Sequence, residues 1–190
     1  GFEGIIVSIT NPCDVIAEYL QKLTKLPKER VIGTGTIIDT ARMKNAVAKY
    51  VGLDPDSIDG YVIGEHGNSQ FVAWSKVSIA TQALNKILDE KSFDQIEEAA
   101  RMKGFEIIQG KGYTSYGIAN AATIIVETIF NDSKTILPVS SYSSEAGCYI
   151  GHPAVVGRQG IIRDFHLELD EKEQEKWNHS VETIKNTRPN

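Results

Sequence analysis

A chain of 190 residues, 41% hydrophobic and 24% charged, is long enough for one sizeable domain with its own core. Its net charge of −5, without a basic arm or a Lys/Arg cluster, argues against a nucleic-acid partner, and no apolar run approaches the roughly 20 residues that span a bilayer. Cys13 and Cys148 are far apart and outside any CxxC or metal-ligand spacing, and the first residues lack the basic start of a signal peptide, so reduced thiols in a cytoplasmic protein are expected more than a disulfide.

Ile5, Ile6, Val7 and Ile9 form a short β-branched run of the kind that builds a buried parallel strand. A buried strand this close to the first residue implies further structure before it. Asn11-Pro12 marks a turn and a helix start with the proline in the first helical position, and Val15, Ile16, Tyr19, Leu20 and Leu23 follow at helical spacing until Pro27. Val31-Ile32 leads into the turn Gly33-Thr34-Gly35-Thr36, and a helix over 37–50 is closed by Gly52. Residues 61–63 and 71–74 read as a strand pair around the loop Gly64-Glu65-His66-Gly67. Ser92 with Gln95 three residues on is a capping-box signature for a helix through Ala99 and Ile107, and a second helix is expected over 115–130. Short strands at 135–139, 149–156 and 161–167 precede a polar helix capped by Asp170 with Glu173. The pattern, free of repeats and linkers, predicts an α+β fold of mixed helices with a mainly antiparallel sheet.

Three segments could carry chemistry. Asp39 and Arg42 lie three apart on a predicted helix and share a face, and Arg can grip a carboxylate through two parallel hydrogen bonds. Alone, such a pair is more often a surface ion pair. His66 sits between Gly64 and Gly67, which allow an unusual backbone that presents the imidazole, and histidine exchanges protons near neutral pH. A solvated loop histidine fits that pattern equally well. Gly110-Lys111-Gly112-Tyr113-Thr114-Ser115-Tyr116 precedes a helix and reads either as an anion-binding corner or as a capped turn. Neither Gly33-x-Gly35 nor Gly110-x-Gly112 extends to a full GxGxxG, so the pyrophosphate of a dinucleotide has no evident place here. Four histidines, His66, His152, His166 and His179, show no paired ligand spacing, and no metal is expected. His152, His166 and His179 read as structural or solvated.

Taken together, Thr10-Asn11-Pro12-x-Asp14, Gly33-Thr34-Gly35-Thr36 with Asp39-Thr40-Ala41-Arg42, Gly64-Glu65-His66-Gly67 and Lys111-Gly112-Tyr113-Thr114-Ser115-Tyr116 occur in an order that closely resembles the C-terminal, catalytic domain of the L-lactate/malate dehydrogenase family, across essentially the whole chain. The resemblance implies that residues 1–10 are the last strand of an otherwise absent dinucleotide-binding domain and that 11–190 form the substrate-binding catalytic domain. It implies hydride transfer between NAD, held mainly by the absent domain, and a small L-2-hydroxy or 2-oxo acid. In that family's terms His66 resembles the proton donor and acceptor, Asp39 its carboxylate partner, and Arg42 the clamp on the substrate carboxylate. Asn11 resembles the residue that bonds the substrate oxygen near the nicotinamide, Thr114 and Gly104 stand where the family lines the substrate pocket, and Ile118 stands where it packs on the nicotinamide ring. A homodimer or homotetramer is implied as well.

The glycine-rich cofactor turn and the mobile substrate-selecting loop of the family are absent, so this piece alone is expected not to turn over substrate. The phrases Gly35-Thr36-Ile37-Ile38-Asp39-Thr40-Ala41-Arg42-Met43 and Gly67-Asn68-Ser69-Gln70-Phe71-Val72-Ala73-Trp74 look especially like the L-2-hydroxyisocaproate dehydrogenase branch, which takes branched substrates, with L-lactate dehydrogenase proper as the alternative. Tyr113-Thr114-Ser115 is of the lactate type and disfavours the malate branch. A non-catalytic truncated fragment is the reading of another class, and the intact Asp39, Arg42 and His66 speak against it. A hydrolase using His66 with Glu65 or Ser69 lacks any GxSxG elbow or HExxH helix.

Overall fold

In chain order the elements are β1 (Ile6–Ser8), α1 (Cys13–Thr24), β2 (Val31–Gly33), α2 (Ile37–Val51), β3 (Ile58–Asp59), β4 (Val62–Ile63), β5 (Phe71–Val72), β6 (Ser78–Ile79), β7 (Gln82–Ala83), α3 (Glu90–Lys111), α4 (Ser115–Asn131), β8 (Thr135–Ser143), β9 (Cys148–Gly157), β10 (Gly160–Asp164) and α5 (Glu171–Thr187). The computed structural model describes residues 1–112 and 114–188, except for the side chains at positions 90, 101, 103–108 and 111. Among the described residues no helix is long and apolar enough to cross a membrane.

The main sheet has the order β1-β2-β8-β9-β10. β1 and β2 run parallel, a pairing that needs a crossover, and α1 supplies it. The joins of β2 to β8, β8 to β9 and β9 to β10 are antiparallel, so the sheet is mainly antiparallel, as the sequence pattern predicts. Smaller antiparallel groups, β3-β6-β7 and β4-β5, stand beside it. A pair of backbone hydrogen bonds between Gly64 and Gly151, at 2.9 and 3.0 Å, ties the end of β4 to β9.

Burial explains the arrangement. Val15 of α1, Ile63, Phe71, Ile150 of β9, and Trp177, Val181 and Ile184 of α5 form one cluster, which packs the terminal helix against the β4–β5 hairpin. Met43 and Val47 of α2 pack with Ile58, Val62, Val72, Phe93 and Ile96 in a second. Each such aliphatic side chain contributes about 1.5–3 kcal/mol when taken from water, so the hairpin is gripped between α5 on one side and α2 on the other. Cys13 and Cys148 are both free and buried.

Four local readings need correction. Pro12 occupies the N-cap with extended backbone, and its carbonyl accepts the first helical bond from Ile16 at 3.0 Å, so α1 begins at Cys13 rather than at the proline. The face that α1 buries is not the apolar stripe alone: Tyr19 and Leu23 are 48% and 61% exposed, while Asp14 and Glu18 are buried. Specific polar partners outweigh periodicity here, since Glu18 pairs with Arg188 and Lys22, each at 2.8 Å, and Asp14 is committed elsewhere. α3 starts before the expected cap. Asp89 is its cap, accepting from the Ser92 backbone at 2.9 Å and the Ser92 hydroxyl at 2.5 Å, which makes Ser92 the third residue of the helix. Finally, the strand ending at Val72 gives way to a 3-10 turn at Trp74–Lys76, where Trp74 stacks on Phe93 and donates to Glu97 at 2.6 Å.

The terminal helix is built as its sequence predicts. Asp170 accepts from the Glu173 backbone at 2.9 Å, and the Glu173 carboxylate accepts from the Asp170 backbone at 3.3 Å, a complete capping box. Glu173 also receives the Ser75 backbone N–H at 2.8 Å and the Ser75 hydroxyl at 2.5 Å. Asp170→Ala is expected to cost about 1 kcal/mol as a lost cap. Glu173→Ala should cost more, about 2–3 kcal/mol, because it also strips the acceptor from Ser75. Urea unfolding of the two variants beside the parent measures the difference.

Candidate active site

Asp39 and Arg42 owe their position to the turn between β2 and α2. The Thr36 N–H donates to the Pro138 carbonyl at 3.1 Å, and the Thr36 hydroxyl to the Val62 carbonyl at 2.6 Å. Gly35, at φ +52°, passes so close to β8 that a Cβ would lie 2.3 Å from the Ser140 nitrogen. Only glycine fits. The turn aims the start of α2 inward, so Asp39 falls in its first turn, where the helix dipole favours a carboxylate, and Arg42 lies one turn on over the same face.

His66 comes from the β4–β5 loop, and two carboxylates orient it. Its Nδ1 lies 2.9 Å from Asp39 Oδ2, and its backbone N–H donates to Asp14 Oδ2 at 2.9 Å. An ionised carboxylate only accepts, so Nδ1 carries the proton toward Asp39. Nε2 makes no hydrogen bond to a described residue and is left for a ligand. Asp14 takes the Ser140 hydroxyl on its other oxygen at 2.5 Å and is buried. Arg42 stands 3.5 Å from Asp39 Oδ1, and an open cleft of about 570 Å³ lined by Asp39, Arg42, Gly67, Gln70 and Phe71 adjoins it.

The electrostatics follow from this geometry. The hydrogen bond to Asp39 raises the His66 pKa above 6.5, against burial, which lowers it, while the charges of Asp39 and Asp14 raise it further and Arg42 opposes them. Burial alone would push Asp39 up, but the hydrogen bond and charge of His66, with Arg42 and Gln70, hold it below 3.8. Burial pushes Asp14 up to about 6 despite the hydrogen bonds from Ser140 and the His66 backbone. A group set this way can donate and recover a proton at Nε2 beside a guanidinium that can hold a carboxylate.

The structure thus brings His66, Asp39 and Arg42 into one hydrogen-bonded group. Asn11 is exposed, three residues ahead of Asp14, and joins none of the three by a hydrogen bond. Thr114 caps α4 by position without a side-chain bond, and Ile118 lies half-buried in the first turn of that helix, beside Gly117, where a Cβ would meet Ile38 at 3.7 Å. Gly104 belongs to the stretch of α3 whose side-chain surroundings lie outside the described residues. His152 is buried, with Nδ1 2.9 Å from the Ile150 carbonyl, and His166 pairs with Glu145 at the surface, away from the site. Sequence reasoning missed Asp14 as the partner of the histidine loop and Ser140 as the partner of Asp14. A carboxylate flanked by Cys13 and Val15 was the available signal for the first; the second offered none.

The pair of His66 and Asp39 makes a signed prediction. A raised His66 pKa contributes stability that is complete below 6.5 and is lost as pH climbs through the raised value; a lowered Asp39 pKa contributes stability that is present above 3.8 and is lost as pH falls through the lowered one. Asp14, raised to about 6, works the other way and withdraws stability as pH rises from 3.8 to about 6. Asp39→Asn should therefore destabilise most between pH 3.8 and 6.5, with a smaller difference above the raised His66 value, and should move the His66 titration to lower pH. Ring-resonance NMR and urea unfolding across pH check both.

Comparisons with known proteins show the family to which the chain belongs. Residues 36–188 match the family described as lactate/malate dehydrogenase, alpha/beta C-terminal domain. The chain is 42% identical to the L-lactate dehydrogenase of Halalkalibacterium halodurans, covering 97% of this chain and 61% of that protein. It is 39% identical to L-lactate dehydrogenase 1 of Bifidobacterium longum, covering 97% of this chain and 62% of that protein. The crystal structure of the minor L-lactate dehydrogenase of Enterococcus mundtii with ligands bound superposes with a TM-score of 0.94 at 31% identity, over 100% of this chain and 65% of that one. The chain therefore spans about three fifths of the length of the curated relatives it matches. With a family model over most of its length and a site in which Asp39 binds both His66 and Arg42, the chain belongs to the lactate/malate dehydrogenase family.

Proposed function

We propose that this chain is the catalytic part of an NAD-dependent L-2-hydroxy-acid dehydrogenase, with His66 as the acid–base group and Arg42 as the clamp on the substrate carboxylate. The observation that carries the reading is the imidazole whose Nδ1 is fixed on Asp39 while Nε2 has no hydrogen-bond partner among the described residues, next to a guanidinium. A 2-oxo acid presents a carboxylate to hold and a carbonyl oxygen that takes up a proton on reduction. Arg42 binds the first, and Nε2 of His66 supplies the proton to the second. In the reverse direction Nε2 accepts it, and Asp39 stabilises the imidazolium that results.

The nicotinamide cofactor supplies or accepts the hydride when bound. The half-buried Ile118, in a helix turn that packs near Ile38 of α2, offers an apolar surface that fits one face of such a ring, and the exposed Asn11 amide suits its polar edge. In this reading residues 1–10 complete the dinucleotide-binding domain, since β1 and β2 form a parallel pair of the type such domains use. The 190-residue chain by itself is then expected not to turn over substrate.

The segment Gly67-Asn68-Ser69-Gln70-Phe71-Val72-Ala73-Trp74 supports a branched 2-oxo acid of the 2-oxoisocaproate kind. The relatives named L-lactate dehydrogenases favour pyruvate as the second reading. NADH oxidation by the complete two-domain protein with 2-oxoisocaproate, pyruvate and oxaloacetate decides between them, and turnover of none would overturn the proposal. Arg42→Lys, which loses the two-pronged grip, should cut kcat/KM about tenfold to a hundredfold, mainly through KM. His66→Asn should lower kcat by about 100-fold or more.

A further inference from the structure

The loop that carries His66 rests on a hydroxyl from the far end of the chain. Ser180, in the middle of α5, is fully buried. Its Oγ accepts the Glu65 backbone N–H at 3.2 Å and donates to the Ser69 carbonyl at 2.5 Å. The loop backbone presses directly on it, because a Cβ at Gly64, which sits at φ +101°, would lie 2.5 Å from the same oxygen. One proton and two lone pairs are the whole capacity of a serine hydroxyl, and these contacts use the proton and one lone pair. The loop also closes on itself, with the Glu65 carboxylate taking the Ser69 N–H at 3.1 Å and the Ser69 hydroxyl at 2.5 Å. Residues 65 and 69, on either side of His66, are therefore locked to each other and jointly to one point on α5.

That point does not drift. Trp177, Val181 and Ile184 anchor α5 in the core, Glu173 ties its first turn to Ser75, and Arg188 ties its end to Glu18 at 2.8 Å. We propose that Ser180 is a positioning residue for His66, the hydroxyl through which the terminal helix fixes the height of the histidine loop over Asp39. It touches neither the imidazole nor any reacting atom. Its effect passes through Glu65 and Ser69 to the Nδ1–Asp39 contact, which lengthens or loses its angle when the loop shifts. The inference rests on the reading of His66 as the acid–base group.

Ser180→Ala and Ser180→Cys in the complete protein test it, with Ser75→Ala as a variant that loosens α5 away from the loop. Cysteine keeps the buried site filled with a weak donor, so it carries the test if the alanine variant does not fold. Three quantities are read: the unfolding midpoint, the His66 ring titration by NMR, and kcat/KM for the best 2-oxo acid. The expected result is a His66 titration moved toward lower pH and a loss of about tenfold or more in kcat/KM for both Ser180 variants, with Ser75→Ala changing only the midpoint. Ser180 variants that behave like Ser75→Ala, with His66 titrating as in the parent, would overturn the proposal. Absence of turnover in the parent would sink the dehydrogenase reading instead, and the His66 titration would then decide the role of Ser180 by itself.

Discussion

The buried carboxylate of Asp14 is the constraint on which the site depends. It joins three segments distant in sequence: its own helix α1, strand β8 through the Ser140 hydroxyl, and the histidine loop through the His66 backbone N–H. A carboxylate in the interior is costly unless its oxygens are occupied, and here each has a donor. The cost still shows in a pKa raised to about 6 by burial. It shows again in the way α1 sits, with Tyr19 and Leu23 turned outward so that Asp14 and Glu18 can face inward.

Around that link the two catalytic candidates are placed by independent means. Asp39 and Arg42 are aimed by the Gly35 turn and by the burial of Met43 and Val47, whereas His66 is aimed by Asp14 and by the hairpin that pairs with β9. Their side chains meet at the contact between Nδ1 and Asp39. Asp39 stands between His66 and Arg42, and its contacts with both hold its carboxyl below the usual carboxylate value. Arg42 lowers the proton affinity of His66, so a carboxylate bound on Arg42 cancels that effect and favours the imidazolium. In the proposed reaction, binding of an acid substrate would thereby favour the proton that its own carbonyl oxygen receives.

Much of this was legible in the sequence because the signals were local. The i,i+3 spacing of Asp39 and Arg42, the glycines around His66, the cap of α5 and the antiparallel run of β8 and β9 all depend on neighbours within a few residues. The errors arose where a partner outside the local pattern decided. Periodicity predicted an apolar face for α1 that Asp14 and Glu18 displace, and Ser92 carried a capping signature that Asp89, one residue ahead of the helix, pre-empts. The contacts of Ser140 with Asp14 and of Ser180 with the histidine loop span 126 and at least 111 residues, and no spacing rule reaches so far. The motif resemblance singled out the histidine, the aspartate and the arginine, which the fold brings together, but not what holds them.

The central claim is that His66 and Arg42 converge on one 2-oxo acid. A crystal structure of the complete protein with NADH and oxamate, an unreactive isostere of pyruvate, tests it most directly. The expected result is an oxamate carboxylate held by two hydrogen bonds from Arg42, with its adjacent oxygen within hydrogen-bond distance of His66 Nε2 and Asp39 still on Nδ1. An oxamate bound elsewhere, or an imidazole turned so that Nε2 points away from the ligand, would contradict it.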